Sequence, residues 1–170
     1  MKYLSVTLLS LIVASTALAD GSVVRWDSIV GVITTPGVDN PVADIHGGAT
    51  AWTTTGGQAA VDLKSGATVF DVDGLVINGT AFSGTPGPIS KVTGTLVCNP
   101  GQAGENVYDT TPVPLSARCE AAFSGSLVPI QTPCNNPLFL IRIAQPAGAL
   151  GRWIATGVVR SVGHKFFFEE

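Results

Sequence analysis

The sequence predicts an all-β fold, a single-domain antiparallel β-sandwich or closed β-barrel of about eight strands. Three observations lead there. Composition comes first: 20 Gly and 11 Pro, with abundant Thr, Val and Ser, favour strands and turns over helices. A hydrophobic content of 45% is too high for a disordered chain. Second, no segment carries convincing helical periodicity, whereas strand-like runs recur with connections of ordinary length. Third, residues Gln58 to Ile77, QAAVDLKSGATVFDVDGLVI, read as a β-hairpin. With Ser65-Gly66 as a two-residue loop, Leu63 stands opposite Thr68, Val61 opposite Phe70 and Ala59 opposite Val72. These pairs form one apolar face. Lys64 with Ala67, Asp62 with Val69 and Ala60 with Asp71 form a mixed polar one, because side chains alternate with period two.

The elements follow in chain order. Gly21 to Ile33 reads as a long first strand, ended by the turn Thr34-Thr35-Pro36-Gly37. Val38 to Gly48 reads as a loop, and Ala49 to Thr55 as a short Thr-rich strand around Trp52. After the hairpin, a Gly/Ser/Pro-dense loop over Asn78–Pro88 leads into a strand from Ile89 to Cys98. Asn106 to Leu115 is an irregular edge segment, since Pro112 and Pro114 cannot serve a central strand. Ala117 to Val128 is a strand, and Pro129 to Pro137 a long loop. Leu138 to Ala144, LFLIRIA, is a strand covered on both faces because its apolar run is nearly continuous. Trp153 to Ser161 is the last strand, followed by a short tail, HKFFFEE, that docks or frays. Two self-similarities stand out. Gly94 and Gly125 sit in the echoed runs TGTLV and SGSLV, which suggests glycine bulges or bends. Arg25-Trp26 echoes Arg152-Trp153, which first and last strands pairing to close a barrel would explain.

The amino-terminal stretch bears on localisation. Lys2, an apolar core from Leu4 to Val13 and the small-x-small pattern Ala17-Leu18-Ala19 form a secretory signal peptide over residues 1–19. Residues 20–170 are then one mature β domain, secreted to the extracellular space or to a periplasm, with no transmembrane helix after cleavage. An outer-membrane barrel is disfavoured by an aromatic content of 7% and by the terminal Glu169-Glu170. The net charge of −3 and the absence of a basic patch exclude nucleic acid as a partner. On an oxidising route, three cysteines imply a disulfide. Cys119 shares an apolar alternating phase with Leu115, Ala117, Ala121 and Phe123, so it reads as a buried, reduced strand residue. Cys98 and Cys134, both at strand ends, form the expected pair. Zinc fails on spacing, because there is no C-x-x-C and His46 and His164 lie far from the cysteines in sequence.

Candidate sites are few. Asp71 and Asp73 form a D-x-D pair, yet no third acid lies nearby in sequence to complete a calcium shell, so a solvated strand face is preferred. No pair among the mature acids is marked for hydrolase chemistry, and no catalytic, metal-binding or cofactor-binding residue is assigned. His46-Gly47-Gly48 resembles the oxyanion-hole stretch of esterases, but the chain has no G-x-S-x-G elbow, so a flexible glycine loop tip is the reading. Gly151-Arg152-Trp153 matches the G-x-W that lipocalins carry on their first strand. Here it lies near the C-terminus, and it implies only a barrel with an apolar interior. Asn78-Gly79-Thr80 is an N-glycosylation sequon in a turn-rich, exposed position. Trp26 and Trp153 read as core, and Trp52, flanked by Thr and Gly, as the exposed aromatic contact. The expected function is an extracellular, non-catalytic binding or structural domain whose partner is a protein, glycan or small ligand. Recognition is expected in the loops Val38–Gly48, Asn78–Pro88 and Pro129–Pro137. The alternatives are a secreted hydrolase-type enzyme with unidentified carboxylates, and a barrel that holds a small apolar ligand.

Overall fold

The computed structural model describes residues 22–35, 38–145 and 149–163. The expected leader, the Pro36-Gly37 turn, His164 and the tail HKFFFEE lie outside them. The described residues are all-β, with no helix. The strands in chain order are β1 (Val23–Gly31), β2 (Ala51–Thr53), β3 (Gly56–Asp62), β4 (Ala67–Asp73), β5 (Val76–Asn78), β6 (Lys91–Cys98), β7 (Asn106–Asp109), β8 (Val113–Pro114), β9 (Ala121–Ser126), β10 (Leu138–Ala144) and β11 (Leu150–Gly163). One antiparallel sheet runs β7-β6-β10-β11-β1-β3-β4-β9, and β8 pairs with β6 beside β7. The pair β2-β5 forms a separate small ladder.

The main sheet curls on itself. Gly94 on β6 lies five strands from β4 in sheet order, yet a Cβ there would stand 2.7 Å from the Phe70 ring and 2.8 Å from that of Phe139. Four aromatic rings run through the hollow: Trp26 to Phe139 at 5.5 Å, Phe139 to Phe70 at 5.7 Å and Phe70 to Phe123 at 5.8 Å. These are ordinary separations for favourable ring pairs. Each ring comes from a different strand, so the series ties β1, β10, β4 and β9 into one core.

The sheet is neither a closed barrel nor a clear sandwich. Its edges, β7 with β8 on one side and β9 on the other, share no ladder among the described residues. The reason is local. Pro112 and Pro114 lack N–H donors, so β8 pairs to β6 and offers little to a strand on its far side. The six residues Leu115–Glu120 bridge the gap from β8 to β9 instead. First and last strands do pair, Val24 opposite Val162 and Ser28 opposite Val158. They meet in the middle of the sheet, however, and close nothing.

The hairpin keeps its faces but not its predicted register. Val61 stands opposite Thr68 and Ala59 opposite Phe70, a slip of two residues that leaves a four-residue loop, Leu63–Gly66. Asp62 causes the slip. Its Oδ1 accepts the Lys64 N–H (2.9 Å), its Oδ2 the Ser65 hydroxyl (2.7 Å), and its carbonyl the Gly66 N–H (2.8 Å). Because the slip is even, Ala59, Val61, Thr68, Phe70 and Val72 remain on the buried face.

Other expectations change. The second hairpin strand stops at Asp73: Gly74 takes φ +59, and Val76–Asn78 leaves to pair with β2. That small ladder buries Trp52, which is only 3% exposed and is therefore not a surface aromatic contact. Alternation along Ala51–Thr53 turns Trp52 inward opposite Ile77, and the Trp52 N–H bonds Val32 O at 2.8 Å. The polar neighbours that made Trp52 look exposed point the other way. Cys119 is buried as expected but lies in the turn before β9, with φ +62, not on a strand. Gly125 marks no bulge, whereas Gly94 sits where the register of β6 shifts by one residue between β7 and β8; each makes room for a phenyl ring, Gly125 for that of Phe123. Phe139, Leu140 and Ile141 are consecutive and all buried, so β10 is covered on both faces there. Trp26 and Trp153 are core residues.

Candidate functional site

A groove of about 510 Å³ lies across β1, β3, β4 and β9. Three consecutive residues of each strand line it: Arg25–Asp27, Gln58–Ala60, Val69–Asp71 and Ala122–Ser124. The middle members, Trp26, Ala59, Phe70 and Phe123, form one line across the sheet and turn their side chains toward the core. The flanking residues therefore point the opposite way, and the groove lies on the outer face of the sheet. Ala60 and Val69 form an apolar floor. Arg25, Asp27, Gln58, Asp71 and Ser124 supply polar groups around it. The side chains of Asp27, Gln58 and Asp71 make no hydrogen bond or ion pair among the described residues. Asp73 and Glu120 are likewise without a side-chain partner among the described residues, whereas Asp62 is engaged in its turn, Asp109 with Thr95 and Arg142, and Glu105 with the Gly101 N–H. Asp62 loses hydration on partial burial, which raises its carboxyl. Hydrogen bonds from Ser65, the Lys64 N–H and Ser22 outweigh that and leave it below the usual range.

A second polar cluster fastens the loop Val38–Gly48 to β11. His46 Nδ1 hydrogen bonds Asp39 Oδ2, and the Gly47 N–H bonds Asp39 Oδ1 at 3.0 Å. Arg152 Nη1 donates to Gly47 O at 2.6 Å and lies 3.6 Å from Asp39 Oδ1, while Trp153 Nε1 donates to Asn40 O at 2.8 Å. The His46 hydrogen bond, against some desolvation and helped by Gly47 and Arg152, holds the Asp39 carboxyl below its ordinary range. The glycines after His46 are buried, so His46-Gly47-Gly48 is a clamped turn and not a flexible tip. His46 and Asp39 have the base-and-orienter form of a catalytic dyad. Among the described residues no serine, threonine or cysteine bonds to His46; the contacts of the pair fasten the loop to β11.

The sequence-marked residues fall elsewhere. Asn78 ends β5 in an exposed position with its amide unbonded among the described residues. A Cβ on the following Gly79 would meet nothing within 4 Å. Cys98 and Cys134 stand at disulfide-bonding distance, with their Cα atoms 4.8 Å apart. Asn99 braces that junction, donating to Pro133 O (3.1 Å) and accepting from the Asn135 N–H (2.9 Å). Asp71 and Asp73 line a smaller cavity of about 340 Å³ with Glu120. Among the described residues, no group of three or more His, Cys, Asp or Glu side chains is placed to hold a metal ion. The juxtaposition of Arg25, Asp27 and Gln58 with Asp71 depends on β1 pairing β3, which has no local signature in the sequence. The one available signal was the polar phase of the hairpin. No helix among the described residues is long and apolar enough to cross a membrane. No family model matches the chain, and neither a curated protein nor a solved structure is significantly similar to it.

Proposed function

We propose that this chain is an exported, non-catalytic binding domain whose ligand occupies the outer groove on β1, β3, β4 and β9. One observation carries the reading. Two carboxylates and an amide without described partners, Asp27, Asp71 and Gln58, line a groove whose floor is alanine and valine. Polar groups around a small apolar floor form the usual chemistry of a small-ligand site. Planar carboxylate and amide groups suit vicinal hydroxyls, and the Ala60 and Val69 methyls suit the C–H face of a sugar ring. The ligand class is therefore a saccharide unit. Export rests on the leader pattern and the cysteine pair. On the same route Asn78 is a glycan acceptor, which a glycosidase-sensitive mass increase lost in Asn78→Gln checks.

Two features favour this reading over its rivals. The aromatic series Trp26–Phe139–Phe70–Phe123 fills the hollow where an apolar ligand would sit in a barrel. Asp27 and Asp71 are separated by β3, so their backbones stand about 10 Å apart by strand spacing. Carboxylate pairs acting on one glycosidic bond stand about 5 to 9.5 Å apart, so strand spacing puts this pair at the far limit of that range. The test is an amide chemical-shift titration of the labelled protein with neutral, acidic and amino sugars. Shifts confined to the four lining tripeptides, with affinity reduced about tenfold or more in Asp71→Ala, are expected. An absence of shifts with every sugar class, or shifts scattered over the surface, would refute the groove as the site.

A further inference from the structure

The two sheet edges differ in how they are guarded. On one side β7 has four residues and β8 two, and Pro112 and Pro114 interrupt the chain between and within them. Short strands and prolines are the usual protection against unwanted pairing. On the other side β9, AAFSGS, carries no proline, lysine or other charge, and Ala122, Ser124, Gly125 and Ser126 are exposed. Its open backbone groups can be identified. The Leu127 N–H donates to Gly66 O at 2.9 Å, one step beyond the Ala67–Ser126 pair. Residues in an antiparallel pair alternate between those that face the partner with both N–H and C=O and those that face away. Phe123 and Gly125 thus bond β4, while Ala122, Ser124 and Ser126 turn donors and acceptors to the open side. Glu120 fits the pattern: its carbonyl faces away from β4 and accepts the Ser116 N–H at 2.8 Å. Among the described residues Ser116 fills that first position, and Pro114 of β8 lines the same cavity as Ala121 and Ala122 beside it.

The outer row beside this edge is acidic. Asp71 stands opposite Ala122, and Asp71, Asp73 and Glu120 line the cavity of about 340 Å³ that opens where β9 begins. These three carboxylates make no hydrogen bond or ion pair among the described residues. Ala122 and Ser124 are small, so they leave Asp71 within reach of a long side chain on a strand added to β9, two strand spacings or about 10 Å away.

We propose that β9 is a docking edge for an extended basic peptide segment. The segment adds as an antiparallel strand to Ala122, Ser124 and Ser126 and places a Lys or Arg side chain in the Asp71–Asp73–Glu120 cavity. Strand addition of this kind draws affinity from main-chain hydrogen bonds and selectivity from alternate side chains. It goes beyond the saccharide reading and shares only Asp71 and the adjoining β9 surface with it.

The test uses the full chain and an octapeptide that alternates Lys with Thr or Val. Binding should slow amide exchange at Ala122, Ser124 and Ser126 by about tenfold or more, weaken steeply with salt, and fail when Lys is replaced by Glu. N-methylation of the peptide amides that face β9 should weaken binding at least about tenfold, since each removes a backbone donor. Ser124→Pro should have the same effect; if that variant unfolds, the N-methylated peptide still decides. Equal binding of methylated and unmethylated peptide would reduce the contact to charge alone and overturn strand addition, as would unaltered exchange at the three amides. Concentration-dependent protection of those amides without peptide would make a second copy of the chain the occupant, and overturns the peptide assignment. Shifts around Arg25 and Gln58 with sugar, and none with peptide, separate the fate of the groove from that of the edge.

Discussion

Reducing the Cys98–Cys134 link should lower stability substantially while leaving the fold intact. The two cysteines are 36 residues apart in sequence. Closing a loop of that length in the unfolded chain removes entropy worth about 4 kcal/mol at 25 °C. The native contacts should survive reduction, because both sulfurs stay in place and Asn99 independently holds Asn135 through a backbone bond of 2.9 Å and a side-chain bond of 2.9 Å. The loss therefore acts mainly through the unfolded state. With a urea dependence of about 2 kcal/mol per molar, the midpoint should fall by about 2 M. The assay is paired urea unfolding of oxidised and reduced protein, followed by near- and far-ultraviolet circular dichroism. Alkylation of the denatured, unreduced protein should modify one cysteine, Cys119. Coincident midpoints, or three alkylated cysteines, would refute the reasoning.

Two further perturbations follow from the packing and the loop clamp. Gly94→Ala places a methyl within 2.7 Å of the Phe70 ring and 2.8 Å of Phe139, and should cost about 1–3 kcal/mol in thermal or urea unfolding. Gly56→Ala, whose Cβ meets only Asp73 Oδ2 at 3.6 Å, should be nearly neutral; equal losses at both positions would contradict the packing described. The Asp39 carboxyl titrates below its unfolded value, so its contribution is complete above about pH 4 and disappears as pH falls through the lower folded value. The Trp153 indole N–H, bonded to Asn40 in the clamped loop, should lose protection over that acid range, and Asp39→Asn should abolish the pH dependence.

Local chemistry made much of the fold legible. Alternation placed Val61, Phe70 and Val72 on the buried face, prolines marked Asn106–Leu115 as an edge, and an unbroken apolar run marked Leu138–Ala144 as covered on both sides. Errors arose where a distant partner decided the outcome. Trp52 sits among Thr and Gly, yet the pairing of Ala51–Thr53 with Val76–Asn78 turns it inward. Ser65-Gly66 suits a two-residue tight turn, but Asp62 captures the turn with three hydrogen bonds and lengthens the loop to four residues. The groove was not legible, since Arg25 and Asp71 come to line one groove only through two strand pairings across β3.

The sequence by itself determined the all-β class and the faces of most strands. Each follows from alternation, turn chemistry or spacing within a few residues. Tertiary structure alone decided that β1 and β11 lie in the sheet's middle, that Pro112 and Pro114 leave the curled sheet open, and that β9 is its other edge. The physical reason is that strand order and edge pairing depend on hydrogen bonds between segments far apart in sequence, and those carry no local signature.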